Sequence, residues 1–147
     1  MYFISHRGNL NGPNSKKENS INYINNALNQ NFEVEIDLWF EKNNFYLGHD
    51  SPKYKVSLSY LKKAKLWIHA KNLECFYELS QYNLNFFWHE KDKIVITSKG
   101  FFWNYPGTVL SEKSICVLPE KHEIKKNKCL GFCSDFIQKV YDRYNNI

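Results

Sequence analysis

No apolar run in this sequence approaches the roughly 20 residues that a membrane-spanning helix needs. The first residues, Met-Tyr-Phe-Ile-Ser-His-Arg, lack both the charged segment and the long apolar segment of a signal peptide. No internal repeat, linker or low-complexity tract interrupts the chain. We therefore expect a single domain over residues 1–147, without a transmembrane segment and in the cytoplasm.

The four cysteines include no Cys-x-x-Cys pair, so the spacing typical of a zinc site is missing. They are Cys75, Cys116, Cys129 and Cys133. Cys116 and Cys133 lie in apolar, strand-like runs, where a cysteine usually acts as a small buried hydrophobic residue. This pattern fits a reducing compartment.

The net charge of +5 is modest and the basic residues are scattered, with Lys125-Lys126 among the few clusters. This distribution suits an anionic substrate, but it is not the basic patch of a nucleic-acid binder. His122, in the same lysine-rich stretch, is expected to be a surface residue. A hydrophobic content of 43% and an aromatic content of 17% exclude a disordered chain.

Strand-like and helix-like segments alternate through the first ninety residues, which favours βαβ units and a parallel sheet. The expected strands here are residues 2–6, 32–40, 45–49, 66–70 and 85–89, and the expected helices begin near residues 20, 58 and 73. Residues 34–48 resemble a hairpin around Asn43-Asn44.

The second part of the chain is expected to contain mainly strands. Residues 93–97 and 101–105 read as a β-hairpin, residues 109–110, 115–118 and 130–133 as further strands, and residues 135–144 as a closing helix. A (β/α)₈ barrel usually takes about 250 residues. The predicted fold is therefore an α/β protein with a reduced or incomplete TIM-type barrel that has fewer helices in its C-terminal half. Its chemistry would sit at the C-terminal strand ends.

Two carboxylates, Glu35 and Asp37, are two residues apart on a predicted strand, so both leave the same face. The apolar residues Val34, Ile36 and Leu38 would face the other way. Paired carboxylates repel unless a positive charge lies between them, and a hard cation such as Mg²⁺ or Ca²⁺ is the usual solution. A surface salt bridge on an edge strand is the alternative interpretation.

Four short motifs occur in order over residues 5–50: His6-Arg7-Gly8, Glu18-Asn19-Ser20, Glu35-Ile36-Asp37 and Gly48-His49-Asp50. In order and approximate spacing they resemble the N-terminal signature of the glycerophosphodiester phosphodiesterases. That family belongs to a wider group that includes the phosphatidylinositol-specific phospholipases C.

The resemblance implies a role for each matching residue. His6 and His49 would be the acid–base pair, and Arg7 would contact phosphate. Glu35 and Asp37 would bind the metal, and Glu18 matches the glutamate of the family's Glu-Asn-Thr/Ser motif and is assigned to the same metal site.

The third strand departs from the family pattern. The family usually has Glu-x-Lys there, whereas this chain has His69-Ala70-Lys71. Lys71 can still favour an anion. His69 could ligate the metal through a ring nitrogen, or Glu90 or Glu33 could supply the missing oxygen, or metal binding could be weak or lost. For Glu33 itself, a structural salt bridge is the preferred interpretation.

An aromatic group near the predicted strand ends has two interpretations. Trp103 and Tyr105, together with His89, could form a wall that stacks a sugar, an inositol or a headgroup. Core packing is the default for such residues. Ser134-Asp135 resembles the family's last-strand Thr/Ser-Asp, although helix capping explains it equally well.

The resulting functional hypothesis is a metal-dependent phosphodiester hydrolase, with a place in lipid metabolism. It would act on a small glycerophosphodiester-like or polyol-linked substrate through two-histidine acid–base catalysis. The alternative is a catalytically inactive barrel that binds a phosphorylated ligand or a protein partner. No nucleic-acid partner is expected, and a homodimer could cover the exposed flanks of a shortened barrel.

Overall fold

The computed structural model describes residues 1–63, 65–121 and 129–145 of the chain. His122, Lys125 and Lys126 lie outside these residues. The strands are β1 (Tyr2–His6), β2 (Glu33–Glu41), β3 (Asn44–Leu47), β4 (Tyr54–Val56), β5 (Leu66–Ala70), β6 (Phe86–Phe87), β7 (Ile94–Ile96), β8 (Phe102–Asn104), β9 (Ser114–Val117) and β10 (Gly131–Ser134). The α-helices are α1 (Ile21–Asn29), α2 (Leu58–Leu61), α3 (Leu73–Leu79) and α4 (Ile137–Tyr144), and a 3₁₀ turn covers Pro119–Lys121.

All ten described strands belong to one curled, mixed sheet. Its main part is parallel, in the order β6-β5-β2-β1-β10-β9-β8. The first half of β2 pairs with β1, and its second half extends beyond β1 to pair with β3. The antiparallel strands β3 and β4 therefore branch from β2, and β7 adds an antiparallel strand beyond β8.

This architecture corrects the expected TIM-type barrel. A barrel of that type wraps each parallel strand with a helix, whereas alternation of strand and helix ends here at β6. Within the described residues, the links from β6 to β8 and from β8 to β9 contain no helix, and β7 occupies the first of them. The fold is a half-barrel of α/β type.

The two end strands of the parallel run approach one another without forming a ladder. The amide of Ser98, in the β7–β8 turn, donates to the carbonyl of Phe86 on β6 over 2.8 Å. The rings of Phe87 and Trp103 lie 4.8 Å apart between β6 and β8. A backbone hydrogen bond and ring packing therefore bridge the open side of the curl.

The two faces of the sheet carry two separate apolar cores. The outer face packs against the helices and includes Val34, Ile36 and Leu38, as their alternation predicted. The concave face is filled by seven buried residues: Ile4, Trp67, Phe87, Trp103, Ile115, Val117 and Cys133. The inner core supports the strand ends where the chemistry-bearing side chains lie.

Most individual segments match the sequence predictions. Helix α1 begins directly after Ser20, although Ser20 makes no side-chain capping hydrogen bond. The β7–β8 hairpin is confirmed. Strand β4 was not predicted, and the predicted strand at Val109-Leu110 is wrong, because Val109 is 91% exposed and has no strand partner in the described structure.

None of the four described helices is long and apolar enough to cross a membrane.

Candidate functional site

Ionisable side chains gather at the C-terminal ends of the inner strands. His69, His89, Tyr105 and Asp135 each come two residues after a member of the inner core, so they continue its face toward the strand ends. The parallel register then aligns neighbouring strands, with His6 beside Glu35. This end of the half-barrel is polar, while the layer below it is apolar.

Glu35 and Asp37 form a buried carboxylate pair on β2. Glu35 is 2% exposed and Asp37 is fully buried. Asp37 is in register with His69 on β5, and the three residues offer ligand atoms that lie within 4.8 Å of one another. This group is a candidate cation site.

Asp37 is surrounded by positive and donor groups. His69 Nδ1 lies 3.1 Å from Oδ1, and Lys71 Nζ lies 3.5 Å from the same oxygen. On the other oxygen, Oδ2, Arg7 Nε approaches to 3.0 Å as an ion pair and the side-chain amide of Asn19 donates over 2.9 Å. Burial opposes ionisation, but the His69 hydrogen bond and the charges of Arg7 and Lys71 outweigh it and hold the pKa of Asp37 well below its usual range.

Glu35 has the opposite electrostatic situation. Its Oε1 lies 3.9 Å from His69 Nδ1 and its Oε2 lies 3.9 Å from His6 Nε2. Oε2 is buried and accepts no hydrogen bond from any described residue. Burial, together with the charge of Asp37, raises the pKa of Glu35 to about 7. An ionised Glu35 therefore lacks a close partner.

His6 is held by a residue from the far end of the chain. Its Nδ1 lies 2.7 Å from Asp135 Oδ1, just beyond β10, and Nε2 is turned toward Glu35. Burial disfavours a charged ring, but the Asp135 hydrogen bond and the charge of Glu35 outweigh it and raise the pKa of His6. The carboxylate fixes the ring and leaves Nε2 for proton exchange.

The loop between β1 and α1 completes the site. Arg7 and Asn19 both adopt positive φ, 55° and 60°, and the amide of Asn19 donates to the carbonyl of Arg7. Asn19 also accepts from the amide of Asp37 over 2.9 Å. Glu18 accepts hydrogen bonds from Arg7 NH1 over 3.3 Å and from the side-chain amide of Asn9 over 2.9 Å. The loop thus places Arg7 next to Asp37.

Glu18 is not part of the carboxylate–histidine cluster, although the sequence assigned it to the metal site. Besides Arg7 and Asn9, it accepts the backbone amide of Asn14. Its contacts are those of a residue that orients the Arg7 side chain.

His69 lies in a ring stack at the edge of the site. Its ring is 5.0 Å from Phe87 and 4.5 Å from His89, nearly parallel to both. Burial lowers the pKa of His69, although Asp37 opposes this shift. Burial and the neighbouring His69 and Lys71 lower the pKa of His89 to about 4. Both rings are therefore neutral at pH 7.

The predicted aromatic wall divides into two parts. Trp103 is 1% exposed and belongs to the inner core, in agreement with the core-packing interpretation. The Tyr105 hydroxyl lies 2.5 Å from His89 Nε2, and burial raises its pKa. His89 stacks on His69, and Tyr105 contacts His89, so both residues lie beside the cluster.

His49 stands apart from the other sequence-predicted residues. Its side chain is 40% exposed and its Nδ1 lies 2.7 Å from Asp50. The amide of the preceding Gly48 donates to the carbonyl of Asp37 over 3.1 Å, so the backbone runs beside the site. No hydrogen bond or ion pair joins His49 to Glu35 or Asp37 in the described parts of the chain.

Sequence reasoning missed the structural roles of Asn9, Asn19 and Asp135. Asp135 accepts from both His6 and Asn9. The Ser134-Asp135 pattern was visible, but capping was equally plausible; Asp135 is not the N-cap of α4, which is Phe136. Glu33 accepts a hydrogen bond from Trp67 Nε1, so its structural role involves a tryptophan rather than the expected salt bridge.

Comparison of the chain with protein-family models, curated proteins and solved structures finds no match. The likeness to glycerophosphodiester phosphodiesterases therefore rests on the four motifs.

Proposed function

We propose that this protein is a divalent-cation-dependent phosphodiester hydrolase. Its substrate would be a small glycerophosphodiester-like or polyol-linked molecule. The observation that carries the proposal is the buried Glu35–Asp37 pair, with an unpartnered Glu35 oxygen, beside Arg7 and His6. Few structural needs account for two buried carboxylates, a guanidinium and a positioned imidazole at one sheet edge.

The cation would be held by Glu35, Asp37 and His69. The unpartnered Glu35 oxygen supports this fit, because a buried carboxylate oxygen without a donor is costly unless a ligand occupies it. When bound, the cation, Mg²⁺ or Ca²⁺ on the sequence expectation, would neutralise charge on the phosphodiester oxygens.

Arg7 and Lys71 supply positive charge for the phosphodiester. Arg7 uses Nε toward Asp37 and NH1 toward Glu18, so part of its five-donor fork remains for a phosphate oxygen. Lys71 lies 3.5 Å from Asp37 on the opposite side of that carboxylate, where it adds a second cationic group. Together, Arg7 and Lys71 favour binding of an anion next to the acidic groups of Glu35 and Asp37.

His6 would exchange the proton of the attacking or the leaving oxygen through Nε2. In the expected route, a neighbouring substrate hydroxyl attacks phosphorus, a new P–O bond forms and the bond to the leaving alcohol breaks. One histidine takes the proton of the attacking hydroxyl and the other protonates the leaving oxygen, which gives a cyclic phosphate that water can open. We propose His49 as the second histidine. The roles of proton acceptor and proton donor are not assigned between His6 and His49.

Turnover of bis(p-nitrophenyl) phosphate and of glycerophosphodiesters tests this function, with Mg²⁺, Ca²⁺ or Mn²⁺ added to cation-free protein. His6→Ala is expected to lower kcat by at least about 100-fold, and Glu35→Gln to abolish the cation response. Glu41→Gln, the same substitution at an exposed position of β2, is the matched control. Turnover that is unaffected by His6→Ala would contradict the mechanism.

The second candidate is a catalytically inactive domain that binds a phosphorylated ligand or protein partner. The specific observation in its favour is that Arg7 and Lys71 already compensate the charge of Asp37, and that His69 donates a hydrogen bond to it. Binding of glycerol phosphate without cation and without any turnover would favour this candidate.

A cytoplasmic setting and a homodimer are further proposals. The described cysteines are free thiols, which supports a reducing compartment. Ile94 and Ile96 on the edge strand β7 are 48% and 65% exposed, which supports a second copy covering them. Sedimentation of the wild type and of Ile96→Lys tests the dimer, which this substitution should dissociate.

A further inference from the structure

The candidate cation cluster has a mixed donor set. Glu35 and Asp37 offer carboxylate oxygens, and His69 offers a ring nitrogen, all within 4.8 Å of one another. Mg²⁺ and Ca²⁺ bind oxygen ligands and gain little from imidazole, whereas Mn²⁺, Co²⁺ and Zn²⁺ accept nitrogen readily. The third residue of the cluster therefore bears on which cation it selects.

The His69 ring is fixed in place before any cation arrives. It lies within 9° of parallel to Phe87 and within 14° of parallel to His89. Its Nδ1 points toward Asp37 and Glu35, at 3.1 Å and 3.9 Å from their oxygens. An imidazole held in this way loses little rotational entropy when it ligates a metal.

The surroundings of Asp37 weaken binding that depends on charge alone. Arg7 and Lys71 lie 3.0 Å and 3.5 Å from its two oxygens, so they compete electrostatically with any added cation. Every divalent ion meets this repulsion equally. Mn²⁺ and Zn²⁺ can offset it with a bond to the neutral imidazole nitrogen, from which Mg²⁺ and Ca²⁺ gain little.

We infer that the cluster selects a first-row transition cation such as Mn²⁺ or Zn²⁺ over Mg²⁺ and Ca²⁺, with His69 Nδ1 as a direct ligand. This preference rests on the cation site of the proposed function, but not on hydrolysis. The bound ion replaces the Nδ1 proton that faces Asp37, and the neutral ring then carries its proton on Nε2.

Pulsed electron paramagnetic resonance of the Mn²⁺-loaded protein tests the ligand directly. The wild type should show ¹⁴N coupling from a coordinated imidazole, and His69→Gln should lose it. Glu41→Gln, which changes an exposed carboxylate at the end of β2, should keep it. Absence of the coupling in the wild type, or its persistence in His69→Gln, would overturn the inference.

Calorimetric titrations of substrate-free protein with each cation give a second measurement. They do not use His69→Gln, so they remain informative if that variant folds poorly. His69→Glu restores an all-oxygen set and should raise the affinity for Mg²⁺ about tenfold or more while lowering that for Zn²⁺. Unchanged relative affinities in His69→Glu would overturn the inference. Nitrogen coupling without phosphodiester turnover would sustain it and refute the proposed hydrolase alone.

Discussion

Glu35 and Asp37 are chemically similar and two residues apart, yet their pKa values shift in opposite directions. Both are buried, so desolvation acts on each. The difference comes from neighbours, because Arg7, His69 and Lys71 all approach Asp37 within 3.5 Å, whereas His6 and His69 lie 3.9 Å from Glu35. The pair therefore holds one fixed negative charge and one that appears near neutral pH.

The raised pKa of Glu35 predicts a pH-dependent stability in cation-free protein. The unfolded carboxyl loses its proton near its ordinary pKa, at about pH 4.3, and the folded one near pH 7. Between these values the folded state holds the extra proton, so this residue makes the free energy of unfolding fall as pH rises, by at most about 1.4 kcal/mol per pH unit.

Urea denaturation of the wild type and Glu35→Gln at pH 5, 6 and 7 measures this contribution. His69 and His89 have lowered pKa values and contribute the opposite slope in both proteins. His6, whose pKa the charge of Glu35 raises, contributes a slope of the same sign as Glu35, so the difference between the two proteins reports Glu35 together with its coupling to His6. The stability of the wild type relative to the variant should fall with pH. Parallel curves would contradict the assignment.

Asp135→Asn is expected to act on His6 in two ways. Without the carboxylate, the pKa of His6 should fall, and kcat should fall by about 100-fold because an amide neither stabilises the charged ring nor fixes its tautomer. Titration of the His6 ring protons by NMR reports the first effect. Asp142→Asn, on the exposed side of α4, is the matched control and should change neither quantity.

At the scale of elements, the strand ends and the β1–α1 loop each supply part of the site. The strands supply His6, Glu35, Asp37 and His69 by simple alternation, and the loop supplies Arg7. Positive φ at Arg7 and Asn19 lets the loop turn back over β2 so that Asn19 bonds both the backbone and the carboxylate of Asp37. The site therefore depends on one local turn as much as on the sheet.

The sequence allowed the strand residues to be predicted, since period-two alternation places Glu35 and Asp37 on one face and Ile36 on the other. The contacts of Asn19 and Asp135 could not be predicted in the same way. The first depends on a left-handed backbone conformation, and the second joins residues 129 positions apart in the chain. Neither leaves a periodic signal.

Side chains pack between β6 and β8 across the open side of the curl. Trp103 contacts Phe87 and Trp67 in the inner core. Trp103→Ala should lower the free energy of unfolding by about 3–5 kcal/mol through the cavity it leaves. Val109→Ala, at a 91% exposed position, should change it by less than about 0.5 kcal/mol.

Chemical denaturation of both variants checks this expectation. A Trp103→Ala protein with near-wild-type stability would show that the two end strands are held together in another way. Loss of near-ultraviolet circular dichroism with retained far-ultraviolet signal would indicate that the inner core has loosened while the strands persist.

At the scale of the whole molecule, the sheet curls far enough to gather strand ends without the helices that would close a barrel. The parallel strands β1, β2, β5 and β6 alternate with helices as predicted, and α1 and α3 pack on them, whereas β3 and β4 branch from β2. After β6 the chain forms the β7–β8 hairpin instead of a helix, as the hairpin predicted at residues 93–105 indicated. An incomplete barrel with fewer C-terminal helices was predicted from the strands and helices read in the sequence, whereas the structure is a half-barrel made mainly of sheet.

We propose that the half-barrel holds a cation between Glu35, Asp37 and His69, next to the His6 ring. Anomalous diffraction from crystals soaked in Mn²⁺ and inorganic phosphate measures this most directly. We expect one anomalous peak within coordination distance of the Glu35 carboxylate and His69 Nδ1, with phosphate between Arg7 and His6. Ordered phosphate on Arg7 and Lys71 with no peak at the carboxylates would contradict it.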